Sequence, residues 1–421
     1  MCRVARKCDD PGNEDMDMLN TARGSGGAAI TDIDEFFRLT HDERARQGFV
    51  SVLRNHAKST MRDEMHATYN NRLRPDYVAR HGREPADGVE IERLMADNLF
   101  YKVYSSLRYN AQQMMYLSTL APIERELPNM VGFAREVTRS RPAGGSLRLD
   151  PSLEIPRYVT ALDVHLIPGG FHSEYVEDDV AQGLIVAFGG LVSRGANRHR
   201  RTDAGGVARS IGHWLSQRDQ GFAPRAILDL GTQSGKNLLP YLDVFPDAEA
   251  YGVDVSAPTL RYGHVKAECR GKAAHFSQQN AEAMDFPDGK FELIVSSFFF
   301  HELPVKAARK ILAECHRLLA PGGMMVHMEL PPHDQCDAWS NFYWDWDAKH
   351  NNEPFYIDFR SQDLAALVEE AGFPRASFFT RTVPEVSTFD MSRYRDYLDG
   401  NVAAPMHGRG GWFVFGACRN D

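Results

Sequence analysis

The stretch that decides the reading is "AILDLGTQSGKN", residues 226–237. Ala226, Ile227 and Leu228 lead into Asp229, and Gly231, Gly235 and Lys236 follow. A dinucleotide fingerprint, G-x-G-x-x-G, counted from Gly231 needs glycines at the next second and fifth positions, where Gln233 and Lys236 stand. A phosphate loop needs four residues between its glycines and a Ser or Thr after its Lys. Here three residues separate Gly231 from Gly235, and Asn237 follows Lys236. What remains is D-x-G-x-x-x-G between a strand pattern and a helix pattern.

Outward from this loop the pattern alternates. "AILDL" reads as a strand and "GKNLLPYLDVF" as a helix. "AEAYGVDV" reads as a strand and "PTLRYGHVKAEC" as a helix. "AAHFSQQ" and "FELIVSS" are strands, "VKAARKILAECHRLL" a helix and "MMVHMEL" a strand. "SQDLAALVEEAG" is a helix, and "ASFFTRTV" and "GWFVFGAC" close the chain as strands. Strands alternating with helices of this length imply crossover units and a parallel sheet.

D-x-G-x-x-x-G in this setting resembles the class I S-adenosylmethionine (SAM) dependent methyltransferases, especially the small-molecule type related to quinone-biosynthesis methyltransferases. Three further blocks carry the resemblance. "AYGVDVS" places Asp254 at the end of the second strand, with Val255 beside it. "SQQNAEAMDFPDGKFELIVSSFFFHELP" supplies Asn280 and Ala281, and "LLAPGGMMVHMEL" matches the block around the fifth strand. The final "WFVFGACR" is similar to the antiparallel last strand of that family.

The resemblance implies a Rossmann-like α/β fold with a seven-stranded methyltransferase sheet and an antiparallel last strand. It implies SAM as cofactor. Asp229 would face the methionine amino group, Gly231 would let the backbone approach the cofactor, and Gly235 would allow close packing at the helix start. Asp254 would accept the ribose hydroxyls. Asn280 and Ala281 would face the adenine, and Thr232, Val255 and Ser297 complete the expected cofactor set. Thr232 and Gln233 stand where smaller residues are commoner, and Asn280 replaces the usual acid. The resemblance covers residues 222–333 well, 358–421 as pattern only, and 1–220 not at all.

Before that domain, residues 1–29 are polar and Gly-rich and read as a disordered arm. Residues 30–221 read as a mostly helical N-terminal domain that caps the site and supplies substrate contacts. "TDIDEFF" offers Thr31 as an N-cap. Ile91, Leu94, Met95, Leu99, Phe100, Val103, Tyr104 and Leu107 recur at helical spacing and read as one core-facing stripe. "SRGANRHRRTDAGG" reads as a polar loop and "VARSIGHWLSQR" as a short helix leading to the domain at 222–421.

Composition bounds the rest. The chain has 421 residues, 43% of them hydrophobic and 25% charged, which is ample core material for more than one domain. Its net charge of -9 argues against a broad nucleic-acid surface. The six cysteines form no CxxC pair and read as reduced thiols of a cytoplasmic protein. No apolar run is long enough to span a membrane. The expected partner is a small-molecule acceptor, with no nucleic acid and no membrane; a homodimer is compatible with the pattern. No metal site is expected.

Methyl transfer requires an aligned acceptor and an excluded solvent. In this fold the acceptor lies beyond the carboxyl ends of the central strands. "SSFFFHELP" puts His301 there as a candidate base and Glu302 as a candidate acceptor contact. The insertion 331–359, dense in aromatics, reads as a lid that brings Tyr343 and Trp344 to the acceptor. "DVHLIPGGFHSEYVEDD" is a chemically rich cluster outside the resemblance; His165 and His172 read as a polar wall of the pocket, with His172 and Glu174 as further candidates for catalysis. The leading function is methylation of a small molecule, with oxygen the expected atom and nitrogen or sulfur the alternatives. The rival readings are a SAM-binding scaffold and a protein side-chain methyltransferase.

Overall fold

The computed structural model describes residues 30–194, 206–218 and 221–420. The expected arm at 1–29 and most of the expected polar loop at 193–206 lie outside the described residues. Eight strands form one sheet: β1 Ser146–Arg148, β2 Ala226–Leu230, β3 Glu249–Asp254, β4 Ala274–Gln278, β5 Phe291–Ser297, β6 Leu319–Met328, β7 Phe379–Pro384 and β8 Gly411–Cys418. Their order across the sheet is β1-β4-β3-β2-β5-β6-β8-β7. All neighbours pair parallel except β8, which is antiparallel to both β6 and β7.

The expected seven-stranded arrangement is therefore present, and an eighth strand widens it. β1 comes from the N-terminal half and pairs with β4 through Ser146–His275 and Arg148–Ser277. Gly145 makes this docking feasible, because a Cβ there would sit 2.6 Å from the Ala274 carbonyl oxygen. Its N–H donates to Glu268 at 2.6 Å. Every residue of β2 is buried, as a strand covered on both faces requires.

The order reverses at β2 and β5, so their carboxyl ends open a crevice. The loop after β2 departs from expectation. In place of a helix over "GKNLLPYLDVF", only Tyr241–Val244 is helical. Residues 235–242 form tight turns, with Leu238 donating to Gly235 and Tyr241 to Leu238. Pro240 has no N–H to give and disfavours helical backbone at Leu239, so the helix begins only after it.

The N-terminal half is built on one 42-residue helix, Leu99–Ser140. The side chain of Asn98 caps it by accepting from Tyr101 N–H at 3.1 Å. That cap splits the expected continuous stripe. Ile91, Met95 and Tyr104 are fully buried, but Leu99 and Val103 are 76% and 53% exposed. Pro122 lies inside the helix and cannot bond the Ser118 carbonyl. That carbonyl instead accepts Gln47 Nε2 at 3.0 Å, from the neighbouring helix His41–His56.

Thr31 is not the cap of its segment. Asp32 caps the short helix Ile33–Phe36 through a capping box with Glu35, whose carboxylate takes the Thr31 donors. Helix Ala181–Arg194 packs against both Leu99–Ser140 and the sheet-flanking helix Ala257–Cys269. Lys266 of the latter bonds Asp32 and Asp34 at 2.6 Å, and Tyr262 bonds Asp34 at 2.8 Å. These contacts fasten the helical half beside the crevice. Among the described residues no helix is long and apolar enough to cross a membrane.

Candidate active site

A cavity of about 390 Å³ opens beyond the carboxyl ends of β2, β3 and β5. Its floor is the loop that follows β2. Gly231 takes a left-handed φ of 63°, and a Cβ there would lie 2.3 Å from the Phe299 ring. Only glycine fits both constraints. Thr232 donates its N–H to the Val253 carbonyl at 3.0 Å, which stitches the loop to β3. Gly252 leaves room for it, since a Cβ there would sit 2.6 Å from Thr232 Cγ2.

Two carboxylates stand at the strand ends. Asp229 is 2% exposed, and its Oδ2 has no partner among the described residues. Burial pushes its carboxyl up to about 7. Asp254 accepts N–H bonds from Gln233 and Ser256, each at 2.9 Å. Burial still pushes it up to about 6. An unpartnered carboxylate beside a glycine-lined cradle suits a ligand that brings a cation, and the ammonium and hydroxyls of SAM match this donor and acceptor set.

The opposite wall is a chain of alternating charge. Glu329, at the end of β6, is fully buried and accepts the N–H groups of Phe299 and Phe300 at 2.9 and 2.7 Å. Its other oxygen lies 2.5 Å from His301 Nδ1. His301 Nε2 is 3.7 Å from Glu302 Oε1. That same oxygen lies 2.7 Å from His165 Nε2, and His165 Nδ1 lies 3.2 Å from Glu353. Asn351 donates to Glu353 from the side.

Burial opposes charge on both imidazoles, but the carboxylates outweigh it. His301 rises to about 9, chiefly against Glu329, and His165 stands well above its ordinary value between Glu302 and Glu353. Burial works to raise Glu302, yet His165 holds its carboxyl below the ordinary value. Glu302 Oε2 is buried and has no partner among the described residues.

Backbone strain gathers at the same place. Gln233, His165 and Phe298 all line the cavity with positive φ of 46°, 57° and 55°. Side chains rarely accept that geometry unless their surroundings impose it.

Of the residues singled out from sequence, Asp229, Gly231, Thr232, Asp254, Val255 and Ser297 line the cavity. His165 and Glu302 line it as well. The others do not. Gly235 backs the loop, where a Cβ would meet the Phe276 ring at 2.7 Å. Asn280 turns its oxygen to the Glu282 N–H at 2.9 Å, and Ala281 is buried in the core. His301 sits behind Glu302, and its Nδ1 is engaged by Glu329.

His172 is half-buried beside Gly170 outside the lining, and its Nδ1 has no described partner. Glu174 is exposed and pairs with Arg261. Tyr343 packs among Tyr104 and Trp346, within the aromatic helix Ala338–Lys349 and the N-terminal helices it meets. Trp344 lies 4.9 Å under the Arg360 guanidinium. The aromatic helix of the insertion packs against the N-terminal helices, and Tyr343 and Trp344 do not line the cavity. No group of three metal-ligating side chains occurs among the described residues.

Sequence reasoning missed Glu329, Glu353 and Asn351. Glu329 had a signal, an acid at the end of a strand in the "MMVHMEL" block. Glu353 had none, because only folding brings residue 353 to residue 165.

A family model described as a methyltransferase domain matches residues 227–323. A demethylmenaquinone methyltransferase of Thermus thermophilus is 40% identical over 110 residues, covering 26% of this chain and 49% of that protein. A ubiquinone/menaquinone biosynthesis C-methyltransferase of Shewanella oneidensis is 31% identical over 113 residues, covering 26% of this chain and 44% of its own. The chain thus spans about half the length of the curated relatives it matches. A solved phosphoethanolamine N-methyltransferase of Haemonchus contortus aligns with a TM-score of 0.35 and 13% identity, covering 53% of this chain and 59% of that one.

Proposed function

We propose, for a chain whose residues 227–323 form a class I SAM-dependent methyltransferase domain, that the protein methylates a ring carbon of a small hydroxyl-bearing aromatic acceptor. The observation that carries this reading is Glu302 Oε2, a buried carboxylate oxygen without a described partner in the cavity wall. The names of the sequence relatives favour carbon over the oxygen expected from base rates.

Asp229 would hold the amino group of SAM and Asp254 its ribose, with Gly231 leaving room for both. When bound, SAM supplies an electrophilic methyl group. The chain's own residues prepare the acceptor. Phe171, Phe298 and Leu303 flank a ring with apolar surface and exclude water. Glu302 Oε2 accepts the proton of the ring hydroxyl, which raises electron density on the adjacent ring carbon. His165 stays protonated and steadies the Glu302 carboxylate, and Glu353 steadies His165. After the carbon–carbon bond forms, the ring loses its hydrogen as a proton, and the oxygen regains its own from Glu302. One proton is released per turnover.

The test is incubation of the full chain with SAM and a panel of reduced naphthoquinols and hydroquinones, with the position of the new methyl group read by NMR. Carbon methylation that fails in Glu302→Gln supports the reading. Methylation only at oxygen overturns the choice of atom, and no transfer to any member of the panel overturns the acceptor class.

A further inference from the structure

A second polar centre lies in the helical half, at the seam of helices His41–His56, Leu99–Ser140, Ala181–Arg194 and Ala338–Lys349. Arg54 is 4% exposed and meets no carboxylate. Its Nη1 donates to Gln112 Oε1 at 2.5 Å and its Nη2 to Ser193 Oγ at 3.3 Å. Its Nε is buried without a partner among the described residues. Arg108 donates to the same Gln112 oxygen at 3.3 Å, and Lys58 Nζ to the same Ser193 hydroxyl at 3.3 Å. Three cations are thus tied together through two neutral acceptors.

Asp347 is the carboxylate that acts on all three cations, and Arg108 holds it through two bonds of 2.7 and 3.2 Å. Neither Arg54 nor Lys58 bonds a carboxylate among the described residues. A buried guanidinium is costly to keep charged unless an anion pairs with it.

We propose that Arg54, Lys58 and Ser193 form a binding site for a phosphate-type oxyanion. A tetrahedral oxyanion has enough acceptors for the Arg54 Nε–H, the Lys58 ammonium and the Ser193 hydroxyl together. Lys58 stands exposed at the solvent edge of this group. The site is linked to the cavity wall, since Gln112 Nε2 donates to the His165 carbonyl at 3.1 Å. The proposal stands independently of methyl transfer, and binding alone tests it.

The experiment is calorimetric titration of the full chain with inorganic phosphate, and separately with phenyl phosphate, against sodium chloride of equal ionic strength. Saturable binding that weakens about tenfold or more in Lys58→Gln is expected. Tighter binding of phenyl phosphate identifies the ligand as a phosphate ester, and equal binding identifies free phosphate. Arg54→Gln is the second variant: its melting temperature without phosphate should equal or exceed wild type, and its gain with phosphate should vanish. No saturable heat, a gain matched by chloride, or binding unchanged in Lys58→Gln overturns the site.

Discussion

Glu302 Oε1 and His165 Nε2 lie 2.7 Å apart, although one residue follows β5 and the other belongs to the helical half. The pair joins the two halves at the cavity and leaves Glu302 Oε2 without a described partner. Glu302→Gln keeps the shape of the side chain and removes the proton acceptor. Turnover should fall about 10²–10⁴-fold, the usual range for a positioned base. S-adenosylhomocysteine affinity should stay within twofold. Steady-state rates beside calorimetric affinities check this, and a parallel loss of affinity would place Glu302 in the cofactor site.

With Asp229 on the cofactor's amino group, as proposed, cofactor binding should depend on pH. Its folded carboxyl titrates at about 7, above its ordinary value of 3.8. Its contribution to stability is therefore complete below about pH 4 and is lost as pH rises to about 7. A ligand ammonium favours the ionised form, so binding S-adenosylhomocysteine at pH 6 should release protons. Calorimetry in buffers of different ionisation enthalpy counts them. Asp254, held at about 6, contributes in the same direction, so Asp229→Asn should reduce the release without abolishing it.

The cradle admits no side chain at Gly231. Gly231→Ala adds a Cβ 2.3 Å from the Phe299 ring at a φ of 63°. The backbone strain alone is about 1–3 kcal/mol. Chemical denaturation should show at least that loss, and S-adenosylhomocysteine affinity should fall with it as Phe299 moves. Wild-type stability in this variant would show that the loop relaxes without cost.

His301 and Glu329 should govern stability in alkali. The Glu329 carboxylate overcomes burial and holds His301 at about 9, against an ordinary 6.5. That stability is complete below about pH 6.5 and is lost as pH rises through 9. The shift corresponds to about 3 kcal/mol. Melting curves from pH 6 to 10 should decline in wild type and be much flatter in His301→Gln. Equal slopes would remove the ion pair from the account.

The sequence by itself determined the seven strands from β2 to β8 and the places of Asp229, Gly231 and Asp254. These depend on local rules: an apolar run makes a buried strand, glycine admits positive φ, and an acid at a strand end meets whatever the crevice holds. It did not determine the helix after β2, because Pro240 acts through a backbone bond that periodicity does not register. It did not place the rings of the aromatic insertion, since rings buried against another helix and rings over an acceptor share one composition. Only the tertiary structure decided which charges meet. His165, Glu302 and Glu353 come from three separate stretches, as do Arg54, Arg108 and Asp347. A charge pair needs a few ångströms of separation in a desolvated place, and neither condition is written in the spacing of residues along the chain.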